Sequence, residues 1–328
     1  MPDFSIGVDL GGTNLRIAAV EQNGTLLEKI NLSTQTSLGR DYVIEEMCGA
    51  IREVAARHQQ FGKLRGIGVG VPGILDTRTG LLHEAPNLPG WSETHVGSEI
   101  ERRLGTRVII ENDANAAALG EAWLGAGDDA SDLAIFTLGT GVGGGIVLDG
   151  KIWHGMSGIA GEFGHIIVDP DGAPCTCGSR GCLEQYASVV GIMRMAKEMI
   201  ASGEAVQLSA AAKSGSEFSP KTIYQLAISG DGRSREIFQT VGRVLGIAIA
   251  DMVNILNLPM HVIGGGVSNA WDAFAPAMLE ELRRRAVTAG ASPSHFGESD
   301  AEERQTMVLR ARLGSNAGLF GAAKLPLL

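Results

Sequence analysis

Cysteine is scarce in this chain, with four residues in 328, and three of the four lie in one short segment. That segment, GEFGHIIVDPDGAPCTCGSRGCLE at 161–184, contains Cys175, Cys177, Cys182 and His165. One imidazole and three thiolates form a closed tetrahedral ligand set for a structural zinc ion. Ordinary buried thiols, or a disulfide with one spare thiol, are the alternatives. The close spacing of Cys175 and Cys177 would strain a disulfide between them.

Basic clusters and long apolar runs are also lacking. The net charge is −10, from 27 Lys and Arg against 37 Asp and Glu, which disfavours nucleic acid or an anionic membrane as the partner. The longest apolar run, 133–148, is interrupted by glycines and is too short to span a bilayer. The first residues, MPDFSIGVDL, show no charged region followed by an apolar one. We therefore expect a cytoplasmic protein, in which structural disulfides are rare.

A Walker A sequence, GxxxxGK[ST], is missing, which excludes that class of nucleotide site. Three other glycine-rich segments follow apolar strands: DLGGTN at 9–14, LGTGVGGG at 138–145 and GGGVS at 264–268. Each could be a tight turn when considered alone. The middle segment joins two strands and opens no helix, so it does not fit a dinucleotide GxGxxG fingerprint.

Glycine-rich segments of this kind let backbone N–H groups approach phosphate oxygens. Thr13 can add a hydroxyl donor, and Asp9 can hold Mg²⁺ directly or through water. These features make the three segments candidates for a nucleotide site. Its predicted residues are Asp9, Gly11, Gly12, Thr13, Asn14, Gly139, Thr140, Gly141, Gly143, Gly265 and Gly266.

Hydrophobic periodicity predicts an α/β protein that begins β-β-β-α-β-α-β-α. The predicted strands are 5–9, 16–21, 26–31, 66–71, 107–111, 133–138, 144–148 and 261–263. The predicted helices are 42–58, 93–104, 114–124, 188–201, 209–213, 221–229, 233–256, one after GGGVS, and 311–324. Cys48 lies on the apolar face of helix 42–58 and is predicted as core.

A strand, a glycine-rich turn and a second strand occur twice, at Gly11–Gly12 and at Gly139–Gly145. This weak internal repeat predicts two similar α/β domains around a cleft. We place the first domain at 1–114 plus about 311–328, where the C-terminal segment packs back on it. The second domain, 115–310, contains the zinc loop.

Seven motifs occur in one order along the chain: DLGGTN, PNLPGW, ENDANAA, LGTGVGGGIVLDG, GEFGH, CTCGSRGCLE and GGGVS. From about Ile6 to Ala323 the chain thereby resembles the ROK family of bacterial sugar kinases, and within it most resembles the glucokinases. The resemblance implies an actin-like (ribonuclease H-like) ATPase fold, with ATP, Mg²⁺ and a structural Zn²⁺. It also implies a hexose acceptor and a homodimer.

The resemblance assigns the general base to Asp113 in ENDANAA. Without it, an N-cap of the following helix is the simpler interpretation, because Asp and Asn are favoured there. The positions that match the family's sugar-binding residues are Asn87, Asn112, Asp113, Glu162, His165 and Glu184.

The implied activity is ATP-dependent phosphorylation of a hexose at the C6 hydroxyl, with glucose as the leading acceptor. N-acetylmannosamine, N-acetylglucosamine or fructose is the alternative acceptor. The family also contains sugar-responsive repressors, but these carry a DNA-binding motif ahead of the first strand, where this chain has about five residues. Intact Asp9, Asp113 and glycine loops argue against a catalytically inactive sugar sensor.

Overall fold

The computed structural model describes residues 3–214, 218–287 and 306–328. The strands are β1 (Phe4–Leu10), β2 (Asn14–Glu21), β3 (Leu26–Ser33), β4 (Leu64–Val71), β5 (Ile74–Asp76), β6 (Leu81–Glu84), β7 (Thr94–His95), β8 (Val108–Asn112), β9 (Leu133–Leu138), β10 (Val142–Leu148), β11 (Lys151–Ile152), β12 (Met260–Gly264) and β13 (Met307–Arg310). The helices are α1 (Arg40–His58), α2 (Val96–Leu104), α3 (Asp113–Leu124), α4 (Glu184–Ala187), α5 (Val189–Ala201), α6 (Val206–Lys213), α7 (Pro220–Ile228), α8 (Gly232–Leu256), α9 (Trp271–Arg285) and α10 (Ala317–Lys324).

The first five-stranded sheet has the order β3-β2-β1-β4-β8. β1 runs antiparallel to β2 and parallel to β4, and β4 runs parallel to β8. Asp9 pairs in register with Gly70, and Gly70 pairs with Glu111. Because parallel strands end at the same edge of a sheet, β1 and β8 bring Asp9 and Asn112 to one edge.

The two faces of β1 are covered by different helices. Phe4, Ile6 and Val8 alternate along the strand and are buried in one apolar cluster with residues of α1. That cluster includes Cys48, which is fully buried, so its prediction as a core residue is confirmed. On the opposite face, a Cβ on Gly7 would overlap the backbone of α10 at Leu319. The glycine therefore permits α10 to lie directly on the sheet.

The second five-stranded sheet has the order β11-β10-β9-β12-β13, and a small three-stranded sheet has the order β5-β6-β7. Among the described residues, α8 is the helix whose length and apolar composition would suffice to cross a membrane. It has a long buried face that includes Phe238, Leu245 and Ile249, which is typical of the core helix of a globular domain.

The chain divides into two compact units. The first consists of 1–135, 145–161 and 311–328, and the second of 136–144 and 162–310. Each unit contains part of the predicted functional machinery, and the two parts are described separately below.

Most predicted elements are confirmed, and the differences are in where three helices begin. The prediction that helix 93–104 begins at Glu93 was wrong, because Thr94–His95 pairs with β6 as β7 and the helix begins at Val96. The C-terminal helix is shorter than predicted and begins at Ala317. The predicted helix 209–213 begins earlier, at Val206.

Candidate functional site

The end of β8 and the start of α3 place Asn112 and Asp113 side by side. The Oδ1 atom of Asn112 accepts hydrogen bonds from the backbone N–H groups of Ala114 at 2.9 Å and Asn115 at 3.1 Å. Its Nδ2 group donates to the carbonyl oxygen of Gly73 at 3.1 Å. Asn112 is therefore the N-cap of α3. The N-cap role, which was the alternative interpretation of Asp113, is therefore filled by Asn112.

Asp113 is the first residue of α3, and its carboxylate accepts a hydrogen bond from the Ala114 N–H at 2.9 Å. The position that a Cβ on Gly318 would occupy lies 3.2 Å from Oδ1 of Asp9 and 3.8 Å from the carbonyl oxygen of Asp113. The first unit thus brings Asp9 and the backbone of Asp113 close to one glycine.

Asp9 is held by Arg16, which faces it across β1 and β2. The Nη1 group of Arg16 donates to Oδ2 of Asp9 at 2.8 Å. Burial raises the pKa of Asp9 above its usual range, and the hydrogen bond and charge of Arg16 oppose that rise. Arg16 therefore compensates part of the desolvation of the carboxylate.

The first glycine-rich segment is closed by its own backbone. The N–H of Gly11 donates to the carbonyl oxygen of Asn14 at 2.8 Å. A Cβ on Gly12 would lie 2.5 Å from the carbonyl oxygen of Asn87, so Asn87 is adjacent to this segment. Thr13, Asn14 and Asn87 are exposed. Two motifs that are distant in sequence, DLGGTN and PNLPGW, therefore meet in the first unit.

In the second unit, the other two glycine-rich segments lie against each other. The N–H of Gly139 donates to the carbonyl oxygen of Gly141 at 2.9 Å. Gly265 has a φ of +82°, and a Cβ there would overlap the backbone of Leu138. Thr140, Gly265 and Gly266 are exposed and Gly143 is half-buried, so these backbone groups can meet a ligand.

Glu184 contacts the same glycine-rich segment. Its Oε2 atom accepts a hydrogen bond from the backbone N–H of Val142 at 3.0 Å, and a Cβ on Gly141 would overlap that oxygen. The motif CTCGSRGCLE marked Glu184 as a sugar ligand. Its contact with the glycine-rich segment was not predicted, because the partner is a backbone group that no residue pattern reveals.

The four predicted zinc ligands are brought together. One ligand atom from each of His165, Cys175, Cys177 and Cys182 lies within 4.8 Å of the others. The Sγ atoms of Cys177 and Cys182 are 3.7 Å apart. Two thiolates bound to one zinc at ~2.3 Å in tetrahedral geometry would be separated by about 3.8 Å, whereas a disulfide needs ~2.05 Å. The group could hold a metal ion, and its geometry fits zinc.

The thiols of this cluster have very different proton affinities. Burial raises the pKa of Cys175, but hydrogen bonds from Cys177, Cys182 and Gln185 together outweigh that effect and lower it to about 7. Burial and the neighbouring thiols raise the pKa of Cys182 to about 12. A bound cation would favour all three thiolates, because metal binding displaces the protons.

His165 faces two partners with its two ring nitrogens. Nδ1 lies 3.9 Å from Sγ of Cys175, and Nε2 lies 3.9 Å from Oε2 of Glu162. The imidazole can therefore bind a metal through Nδ1 while Nε2 faces the carboxylate of Glu162. The structure thus places Glu162, another predicted sugar ligand, beside the zinc cluster.

Sequence reasoning missed the buried carboxylate of Glu111, which is 3% exposed. Its Oε1 atom accepts from the Asn112 N–H at 2.9 Å and from Nδ2 of Asn115 at 3.0 Å. Its Oε2 atom accepts from Nε2 of His154 at 2.7 Å. The hydrogen bond to Glu111 raises the pKa of His154, against the opposing effect of burial. The available signal was the position of Glu111 within ENDANAA.

Comparison with known proteins bears on the whole chain. Residues 5–327 match the ROK family. A glucokinase from Halalkalibacterium halodurans is 36% identical over 96% of this chain and 92% of its own length. A xylose repressor from Caldicellulosiruptor bescii is 31% identical over 87% of this chain and 71% of its own length.

Among solved structures, a ROK family glucokinase from Streptomyces griseus in complex with glucose and AMPPNP superposes with a TM-score of 0.75. It is 34% identical, and the alignment covers 98% of each chain. The predicted actin-like α/β fold is confirmed. From the match along nearly all of its length and from these relatives, the chain belongs to the ROK family.

Proposed function

We propose that this protein is an ATP:hexose 6-phosphotransferase that converts glucose to glucose 6-phosphate. The observation that carries the proposal is that two neighbouring residues at the end of β8 have different roles. Asn112 caps α3, and the adjacent Asp113 carboxylate stands at the strand edge that also holds Asp9. A carboxylate at such an edge is suited to accept a proton from a substrate hydroxyl.

In the proposed reaction, Asp113 accepts the proton of the C6 hydroxyl while the oxygen forms a bond to the γ-phosphorus of ATP. The bond from that phosphorus to the β,γ-bridging oxygen breaks, and ADP leaves with the electron pair. Phosphoryl transfer relies mainly on positioning and charge neutralisation. Backbone N–H groups of the three glycine-rich segments would supply part of that neutralisation.

The acceptor hydroxyls would be bound by Asn87, Asn112, Glu162, His165 and Glu184. The Nδ2 group of Asn112 has a second N–H beyond the one that it donates to Gly73. Carboxylates and amides are suited to fixing several hydroxyls at once, because each offers more than one hydrogen-bonding atom.

Two metal ions are part of the proposal. Zn²⁺ would be structural, bound by His165, Cys175, Cys177 and Cys182, and would hold the segment that carries Glu162 and Glu184. Mg²⁺ would neutralise phosphate charge when bound with ATP. Asp9 would hold it, directly or through water.

Similarity supports glucose and ATP as the substrates, since the relatives named above include a glucokinase and a glucokinase solved with glucose and AMPPNP. Small changes in a pocket distinguish hexoses, so an N-acetylhexosamine or fructose is the second candidate within the class. We further propose a cytoplasmic homodimer with no nucleic-acid partner.

The test is a panel of hexoses and N-acetylhexosamines, with ADP release measured by a coupled assay. We expect the largest kcat/KM for glucose, with glucose 6-phosphate as the product. Preference for an N-acetylhexosamine or fructose would replace the substrate assignment. ATP-dependent phosphorylation of none of the sugars, by a folded and zinc-loaded protein, would contradict the proposal.

A further inference from the structure

The hydrogen bond between Glu111 and His154 joins two segments of the first unit that are 43 residues apart. The Glu111 side chain is 4% exposed, and that of His154 is 36% exposed. Three donors surround the carboxylate: the Asn112 N–H, Nδ2 of Asn115 and Nε2 of His154. A carboxylate this deeply buried needs all of its partners, because removing one leaves a costly unpaired charge. The pair is therefore a strong local constraint.

His154 is the first residue of a loop, 154–161, that has few hydrogen bonds within itself. Its backbone carbonyl oxygen accepts the N–H of Ala160 at 3.2 Å, which closes the loop. Gly155, Gly158 and Gly161 all have positive φ, and Met156 is fully exposed. Glycines at these positions allow the tight path but give the loop no side-chain packing of its own. The side chain of His154 hydrogen-bonds the start of the loop to Glu111 on β8, and Gly158 lies beside the backbone of Leu75.

The loop leads directly to Glu162, the residue at which the chain enters the second unit. Glu162 is one of the proposed hexose ligands. Glu111, the hydrogen-bond partner of His154, directly precedes the N-cap Asn112 and the proposed base Asp113. One buried carboxylate is therefore bonded to the backbone of one proposed acceptor residue and to the loop that precedes another.

We propose that His154, through its hydrogen bond to Glu111, is a positioning residue for the hexose acceptor. It would fix the path of the 154–161 loop so that Glu162 is presented in one conformation. This inference rests on the hexose kinase activity proposed above. It assigns His154 no contact with the sugar and no proton transfer.

The role makes a kinetic prediction that a purely structural role does not. Loss of the hydrogen bond should raise KM for the hexose about tenfold or more, because small misplacements of binding groups are costly. KM for ATP should change by less than about twofold, because the predicted nucleotide residues lie outside the loop. A residue that serves stability alone would leave both KM values unchanged below the melting transition.

The experiment compares four variants by steady-state kinetics and hydrogen exchange. His154→Leu removes the donor, and His154→Asn is a milder change whose amide is too short to reach Glu111. His154→Gln retains a donor of suitable length and should restore the hexose KM. His83→Leu is the matched control, because His83 pairs with Glu93 at 3.3 Å on the exposed surface of the same unit.

We expect faster amide exchange across 155–161 in the Leu and Asn variants, with recovery in the Gln variant. Unchanged hexose KM in a folded His154→Leu or His154→Asn protein, or failure of His154→Gln to restore it, would overturn the inference. If wild-type protein phosphorylates no hexose, the proposed function fails instead. The exchange measurement then still reports whether the pair holds the loop.

Discussion

The Oε2 atom of Glu184 accepts a hydrogen bond from the backbone N–H of Val142 at 3.0 Å. Val142 is the first residue of β10, within the glycine-rich segment 138–145, and Glu184, two residues after Cys182, is the first residue of α4. One carboxylate therefore connects the proposed acceptor residues of the second unit with its proposed phosphate-binding backbone.

This connection predicts a double effect for Glu184→Ala. KM should rise about tenfold or more for both hexose and ATP, because a hydrogen bond to a charged group is lost at the glycine-rich segment. Glu162→Ala is the control, since Glu162 is an exposed proposed hexose ligand and should affect the hexose KM alone. Steady-state kinetics with each substrate varied in turn distinguish the two. An unchanged KM for ATP in Glu184→Ala would show that the contact has no role in nucleotide binding.

The glycine-rich segments predict that a single methyl group at Gly139 impairs nucleotide binding. A Cβ there would meet no protein atom nearer than 4.0 Å, so the fold should accept it. A phosphate held by the backbone would be displaced, and the Kd for ATP should rise about tenfold or more. Gly49→Ala on α1, where the added Cβ also meets open space, is the control. Titration calorimetry that found unchanged ATP affinity in Gly139→Ala would refute the segment's assignment.

The cysteine cluster predicts one tightly bound zinc ion per chain. Cys177→Ser should lose the metal and unfold the loop, because structural zinc contributes on the order of 10 kcal/mol of apparent binding free energy. Cys48 is buried outside the cluster, so Cys48→Ala should retain stoichiometric zinc even if its melting temperature falls. Elemental analysis of freshly purified protein checks both. Fully active wild-type protein without zinc would be incompatible with this account.

His261 is fully buried on β12, and we expect it to make the stability of the fold sensitive to acid. The Oγ1–H of Thr306 donates to the carbonyl oxygen of Leu258, so Oγ1 accepts from Nδ1 of a neutral His261. Burial lowers the pKa of His261 to about 4. The unfolded chain would bind a proton near pH 6.5 that the folded protein resists, so stability should fall as pH drops from about 6.5 towards 4.

The full loss over that range is about 3 kcal/mol, and little of it should appear above pH 7. Melting temperatures measured between pH 8 and pH 5 check the direction. His261→Asn retains a donor towards Thr306 but does not titrate, so its melting temperature should depend less on pH. Identical pH profiles for the variant and wild type would exclude His261 as the cause.

The parts of the site that sequence could predict are those in which chemistry is local along the chain. His165 and Cys175 to Cys182 lie in one segment, and their ligand types alone indicate a closed metal site. The apolar alternation of β1 likewise follows from one stretch of sequence. Cys48 was assigned to the core because helical spacing places it among apolar neighbours.

The remainder depends on tertiary structure. Asn112 and Asp113 are both good capping residues, so only the geometry shows that Asn112 caps α3. Thr94–His95 forms a strand because β6 lies beside it, and a two-residue strand has no periodicity of its own. The pairing of Glu111 with His154 joins distant positions, and no local pattern connects them.

The central claim is that Asp113 is the general base of a hexose kinase, and the variant Asp113→Asn tests it most directly. Asn preserves shape and hydrogen bonding but cannot accept the proton, and general-base catalysis contributes about 10²–10⁴-fold. Because Asn112 already caps α3, the melting temperature should stay near that of wild type, whereas Asn112→Ala should lower stability by about 1 kcal/mol.

The decisive measurement is kcat for phosphate transfer from ATP to glucose by Asp113→Asn, with a melting curve on the same sample. We predict a fall of at least about 10²-fold, with the Kd values for glucose and ATP changed far less. A folded Asp113→Asn protein that turns over glucose at a near-normal rate would contradict the account.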